Sequence, residues 1–180
     1  MVYLHLAKGF EEIEAVTIAD ILRRGGVSIQ TVSVEEDLLV TGGHNIPVKA
    51  DLLFEDADYD TCEMMIFPGG MPGTTNLLNH RELMETLVRF AAGGKPIAAI
   101  CAAPMIFGKT GLAAGKHATI FPGMEDELKG AILSSERVVA DGNMITSQGP
   151  GTAMEFALAL VGILKGESTQ QKLKGGLIIK

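Results

Sequence analysis

The sequence predicts an α/β fold: a mostly parallel sheet with helices packed on both faces. Three observations lead there. Short runs at 2–7, 27–34, 64–67 and 97–100 alternate with segments of helical period. The runs are apolar and rich in β-branched residues, as strands buried on both faces are. Clusters of glycine and proline separate the strand candidates from the helices.

Taken in order, Val2–Ala7 reads as the first strand and Lys8-Gly9-Phe10 as a turn. Glu11-Glu12 start a helix, where negative charge suits the N-terminal dipole. Ile13, Val16, Ile18, Ile21 and Leu22 keep its period, and Gly25-Gly26 stop it. Val27–Val34 is a second strand. Leu38–Thr41 and Ile46–Ala50 flank the hairpin-like loop Gly42-Gly43-His44-Asn45, and Glu55–Asp60 is an acidic connection. Met64–Phe67 is a buried strand that ends in Pro68-Gly69-Gly70-Met71-Pro72-Gly73, a loop that bares main-chain N–H groups. Arg81–Ala92 is an amphipathic helix closed by Gly93-Gly94.

The run Ile97–Ile100 ends abruptly at Cys101, and Ala102-Ala103-Pro104 leads into a helix opened by Met105–Gly108. Ala118–Phe121 reads as a strand closed by Pro122-Gly123, and Glu125–Leu128 as a short helix. Asp141-Gly142 joins Arg137–Ala140 to Met144–Ser147 as a hairpin. Thr152 and Glu155 form a capping box for a helix through Lys165. The tail from Glu167 is polar until Leu177-Ile178-Ile179, which is placed to dock. No internal repeat, linker or low-complexity stretch interrupts the chain, so residues 1–180 read as one domain.

Composition narrows the function classes. The 180 residues are 47% hydrophobic and 21% charged, which suits a full-sized core. A net charge of -7 argues against a nucleic acid as main partner. No run is long enough to span a bilayer, and no basic segment precedes the apolar N-terminus. Cys62 and Cys101 are far apart and lack ligand spacing. A cytoplasmic, reducing home is therefore expected, with no disulfide framework and no structural zinc. His5, His44, His80 and His117 form no local ligand pair, so no metal site is expected.

Cys101 is the candidate nucleophile. A strand running straight into a helix leaves its last residue on a sharp bend, pointing out of the sheet. The nearby helix start favours a thiolate. Gly70 and Ala102 offer main-chain N–H groups to a developing oxyanion. Glu14 shares a helical line with Ile18 and Ile21; burial there would raise its pKa, keep it protonated and let it donate a hydrogen bond to a thiolate. Glu11 has similar helical neighbours, and periodicity does not choose between the two.

Four segments carry a family resemblance: Ala7-Lys8-Gly9-Phe10-Glu11-Glu12-Ile13-Glu14-Ala15-Val16; Phe67-Pro68-Gly69-Gly70; Ala98-Ala99-Ile100-Cys101-Ala102-Ala103-Pro104; and Ser147-Gln148-Gly149-Pro150-Gly151-Thr152 with Glu155-Phe156-Ala157-Leu158. With these the chain resembles the ThiJ/PfpI superfamily, in the branch of the Parkinson's-disease-associated protein deglycase. The resemblance implies a flavodoxin-like three-layer sandwich, of the class I glutamine amidotransferase-like type, and a homodimer. It implies that Cys101 is the reactive, oxidisable thiol, that Glu14 rather than Glu11 is its protonated partner, and that Gly70 and Ala102 supply the oxyanion-binding amides. Activities assigned to such proteins are glutathione-independent conversion of methylglyoxal to lactate, repair of glycated amines and thiols, oxidative-stress sensing and chaperoning. Older labels are thiazole monophosphate biosynthesis and intracellular proteolysis.

Two departures stand out. Phe121 occupies the place before Pro122 where the branch commonly has a histidine, so a Cys–His pair has no support and a protease-type reading loses its base. His44 stands where relatives often have an arginine. The expectation is a cysteine-dependent enzyme acting on small dicarbonyls or on glycated amines and thiols, with no cofactor, metal or membrane. The alternatives are a redox-responsive protein with an oxidisable Cys101 and no turnover, or a relative with a dead site.

Overall fold

The structure, a computed structural model, describes residues 1–179. Its elements are β1 (Val2–Leu6), α1 (Glu12–Arg24), β2 (Ile29–Ser33), β3 (Leu39–Thr41), β4 (Pro47–Lys49), β5 (Leu52–Leu53), β6 (Met64–Phe67), α2 (Gly73–Asn79), α3 (Arg81–Ala92), β7 (Ile97–Ile100), α4 (Pro104–Lys109), β8 (His117–Ala118), β9 (Ile132–Leu133), β10 (Val138–Asp141), β11 (Met144–Ser147), α5 (Ala153–Lys165) and α6 (Glu167–Gly176). The main sheet has the order β10-β11-β7-β6-β1-β2-β5. Every pairing in it is parallel except the β10–β11 hairpin. This is the expected flavodoxin-like α/β architecture.

The period-two geometry of the strands divides the core. Leu4, Leu6, Ile66, Ala98 and Ile100 face the layer of α1 and α5, where Ile18, Leu22, Phe156 and Leu160 are buried. Tyr3, Met65, Phe67 and Ala99 face the opposite layer, with Leu83, Leu87 and Phe90 of α3 and Ile106 and Phe107 of α4. Helix α1 is capped by Glu11, whose side chain accepts from the Ile13 N–H at 3.4 Å. His80 caps α3 in the same way, its Nδ1 accepting from the Leu83 N–H at 3.1 Å.

Four local expectations need correction. Helix α2 follows the glycine-rich loop, where the sequence reading places no element. The strand expected at Ala118–Phe121 is only His117–Ala118 and pairs with β9 outside the main sheet; beyond it, the Thr119 N–H turns to Thr146 Oγ1 at 3.0 Å. The Thr152–Glu155 capping box does not form. Thr152 Oγ1 bonds Gly149 and Ser147 instead, and Glu155 pairs with Arg137 at 2.7 Å. The polar tail is helical as α6, and Leu173, Leu177 and Ile179 pack against the α1–α5 core, whereas Ile178 is exposed. Lys180 lies outside the described residues.

Candidate active site

Strands β1, β6 and β7 lie side by side and parallel, so the segments that leave them emerge at one edge. Those segments carry Glu14, Gly69-Gly70 and Cys101. Cys101 directly follows β7 with φ 65°, a conformation that side-chain-bearing residues rarely adopt. Two main-chain bonds hold the bend: its N–H donates to Ser147 O at 2.9 Å, and its carbonyl accepts from the Phe121 N–H at 2.9 Å. Helix α4 starts three residues on, at Pro104. The sequence-predicted elbow is therefore present.

Glu14, in the first turn of α1, has no solvent exposure. Its Oε2 accepts from the Gly69 N–H at 2.7 Å. Its Oε1 is buried without a hydrogen-bond partner, and the carboxyl interacts with Cys101. The two glycines make this approach physically feasible. A Cβ on Gly69 would lie 2.6 Å from Cys101 Cβ and 2.8 Å from Glu14 Oε2. Gly70 has φ +91°, and a Cβ there would lie 2.4 Å from the Glu11 nitrogen. Glu11, the other sequence candidate, caps the helix, and its main-chain N–H donates to Gly69 O at 2.8 Å.

Burial pushes the Glu14 carboxyl up to about 7, against the opposing pull of the Gly69 N–H and of Cys101. Burial likewise pushes the Cys101 thiol up to about 12, reinforced by the charge of an ionised Glu14. The Ala102 and Gly70 main-chain N–H groups lower it by less. Burial outweighs those donors, so a thiolate on Cys101 requires that Glu14 hold the proton of the pair. The two groups titrate as a unit that carries one negative charge above about pH 7.

None of the histidines bonds to Cys101 among the described residues. His5 is stacked on Phe67 and bonded to Tyr59 and Ile66. His80 caps α3, and His117 pairs with Asp141 at 3.1 Å. Phe121, half exposed, sits beside the bend by its main-chain bond to Cys101. Cys62 is buried packing, its Sγ donating to Met64 O at 3.3 Å.

The fold also makes a cluster that local spacing could not disclose, from Glu11, Glu12 and His44. Glu12 is buried and accepts from the His44 N–H at 2.7 Å and from the Ile46 N–H at 3.4 Å, while His44 Nδ1 lies 2.9 Å from its other oxygen. These contacts more than offset the burial that would raise the Glu12 pKa, and the net shift is downward. Its carboxylate is occupied as an anchor for the loop between β3 and β4. Gly69, which bonds and packs against Glu14, is the position of this cluster to which the sequence reading gives no role; its adjacency to Gly70 in a loop after a buried strand is the available signal.

A thiol on a strand-to-helix bend at the carboxyl edge of an open, mostly parallel sheet places the chain among open-sheet α/β proteins with an elbow at that edge. Residues 1–162 match the profile of the DJ-1/PfpI family, and the chain belongs to that family. It is 36% identical over 177 residues to Protein dj-1beta of Drosophila melanogaster, covering 97% of this chain and 94% of the relative. It is 38% identical over 157 residues to Protein DJ-1 homolog B of Arabidopsis thaliana, 87% of this chain but only 36% of that longer relative. A protein of Pyrococcus abyssi named a deglycase is 30% identical over 161 residues, covering 88% and 96% of the two chains. Among solved structures, oxidized DJ-1 of Toxoplasma gondii superposes with a TM-score of 0.94 at 35% identity, over 98% of this chain and 97% of that one.

Proposed function

We propose that the protein is a cysteine-dependent enzyme that removes reactive dicarbonyls or their adducts on amines and thiols. The observation that carries this reading is the buried Glu14 carboxyl against an elbow cysteine, with Oε1 lacking any donor. An ionised carboxylate would leave that oxygen orphaned; a protonated one gives its own hydrogen to the sulfur. The single charge of the pair then rests on Sγ, which has the Gly70 and Ala102 N–H groups. The archaeal relative named a deglycase supports the substrate class.

The sulfur adds to the aldehyde carbon of methylglyoxal, and the Gly70 and Ala102 amides hold the oxyanion while Glu14 supplies its proton. Glu14 then returns as base and moves the hydrogen of the aldehyde carbon to the neighbouring carbonyl carbon, while the new hydroxyl's proton passes to that carbon's oxygen, which leaves a lactoyl thioester on Cys101. Water cleaves the thioester to lactate and restores the thiol. The sum is one water added to one dicarbonyl, with no outside oxidant. An adduct follows the same course after release of its amine or thiol.

The test is turnover of methylglyoxal by metal-free protein beside Cys101→Ala: lactate formed by the first and not the second supports the reading, and equal slow loss with both overturns it. The second reading, a redox-responsive protein, is favoured by the oxidized state of the Toxoplasma gondii relative. Peroxide titration followed by intact mass tests it; a thiol that resists oxidation to sulfinate counts against it. For assembly the reading includes a homodimer, with exposed Ile13 and Val16 of α1 and nearby Ile46 on the covered face. No described helix is long and apolar enough to cross a membrane.

A further inference from the structure

Cys101 sits at φ 65°, and such a backbone persists only where its surroundings over-determine it. Its two main-chain ties, Ser147 O on one side and the Phe121 N–H on the other, are therefore part of what aims the sulfur. Both ties lead back to one buried hydroxyl that bonds neither Cys101 nor Glu14. It lies in the Ser147–Thr152 segment, which the acid–thiol pair does not use.

That hydroxyl belongs to Thr152, which is buried. Its Oγ1 lies 2.6 Å from the Oγ of Ser147, the fully buried residue whose carbonyl accepts from the Cys101 N–H. Thr152 Oγ1 also accepts from the Gly149 N–H at 3.1 Å. The Phe121 ring lies over Gly149, where a Cβ would stand 3.2 Å from Phe121 Cδ2. Ser147 Oγ in turn donates to Arg137 O at 2.8 Å. Each hydroxyl has one hydrogen to give. Gly149 O already accepts from the Thr152 N–H at 2.8 Å, which frees the Thr152 hydroxyl to donate to Ser147. A buried chain then runs from the Gly149 N–H through Thr152 and Ser147 to Arg137 O, each link polarising the next. Breaking it at Thr152 leaves the buried Gly149 N–H without its acceptor and Ser147 Oγ without its donor.

We propose that Thr152 is a positioning residue for the Cys101 elbow. Its hydroxyl acts through Ser147 on one tie of the bend and through Gly149 and Phe121 on the other, and so holds the sulfur against Glu14 and the Gly70 and Ala102 N–H groups. Thr152 takes no part in the bond changes at the sulfur.

Two measurements test it, and the first needs no turnover. Alkylation of Cys101 by iodoacetamide is followed against pH by peptide mass, which separates it from Cys62. The titratable groups acting on the sulfur are Glu14 and, through Glu14, Glu11. In the wild type the rate is expected to rise near pH 7, where the acid–thiol pair gains its charge. Thr152→Val keeps the shape and removes the hydroxyl. Its rise is expected to move toward the ordinary thiol value of about 8.5, with the rate at pH 7 about tenfold lower. Thr152→Ser is expected to restore the wild-type profile. Leu87→Val, which trims a fully buried side chain of the opposite layer, is expected to leave it in place. An unmoved rise in Thr152→Val, a Thr152→Ser that stays displaced, or an equal displacement by Leu87→Val overturns the assignment. If Thr152→Val does not fold, Ser147→Ala breaks the same chain one link on and is read in the same way.

The second measurement rests on the enzyme reading above. In Thr152→Val, kcat for methylglyoxal is expected to fall about tenfold with KM within about twofold. A displaced alkylation profile in a protein without any turnover sinks the enzyme reading and leaves the positioning role standing. Wild-type turnover that Thr152→Val matches overturns the positioning role and leaves the enzyme reading standing.

Discussion

The main-chain nitrogen of Phe121 lies 2.9 Å from the carbonyl oxygen of Cys101, so residue 121 is tied to the bend that carries the thiol. The residue is close enough for its identity to matter and carries no base. Phe121→His is expected to raise the thiolate fraction of Cys101 at pH 7, because an imidazolium beside a thiol favours its ionised form. Alkylation by iodoacetamide should become about tenfold faster. An unchanged rate would mean that the side chain at 121 does not reach the sulfur.

Glu14 separates two roles, hydrogen-bond donor and proton carrier. Glu14→Gln keeps a donor toward the sulfur but cannot release a proton. Turnover of methylglyoxal should fall on the order of 100-fold, while iodoacetamide alkylation of Cys101 stays within about threefold. A loss of both by the same factor would assign Glu14 to stabilising the sulfur alone.

Two buried groups set opposite limits on stability. Glu14 titrates at about 7 in the fold against 4.5 when free. Below 4.5 both states hold the proton; between 4.5 and 7 only the unfolded chain releases it, so stability declines as pH rises through that window and the loss is complete above it. His5, pushed down to about 4 by burial from 6.5, does the reverse: below 6.5 only the unfolded chain takes the proton, so stability declines as pH falls toward 4. Each limb is on the order of 3 kcal/mol. The two windows overlap and their slopes cancel, so urea midpoints should stay nearly level from about pH 4.5 to 6.5, and Glu14→Leu should unmask the His5 limb as a rise in stability over that range.

Gly69 leaves no room for a methyl group, with Cys101 Cβ 2.6 Å and Cys101 Sγ 3.0 Å from where it would stand. Gly69→Ala should destabilise the fold by about 1–3 kcal/mol and force the thiol away from the acid. Urea denaturation and the alkylation rate together check this. A variant with wild-type stability and reactivity would contradict the close packing.

Val16 is half exposed on α1, three residues from exposed Ile13. In a homodimer that buries this face, Val16→Glu places a charge in an apolar contact and should shift the species seen by sedimentation toward monomer. An unaltered sedimentation profile would move the interface elsewhere.

Much of the architecture was legible because local and global signals agree. Arg81–Ala92 has its apolar stripe and closing glycines, and forms over those same residues. Asp141-Gly142 marks the β10–β11 hairpin, and the apolar run into Cys101 marks the elbow. Thr152 fails as a cap because Ser147 and Gly149, brought near by the turn before it, compete for the hydroxyl. Segment Thr119–Phe121 has strand composition but spends its N–H groups on Thr146 and Cys101, partners that only tertiary structure supplies. At the site, Cys101 and Gly70 could be read directly. Periodicity left Glu14 and Glu11 level, since burial is decided by the loop after β6 lying across the helix start.

Alternate residues of the central strands serve different helical layers, Leu4 and Ile66 one, Tyr3 and Met65 the other. The two hydrophobic compartments share only the backbone of the sheet between them. Redesign can therefore proceed on one side at a time: the α3–α4 compartment is open to resculpting for thermal tolerance, while α1, which carries the acid, is left in its native seat.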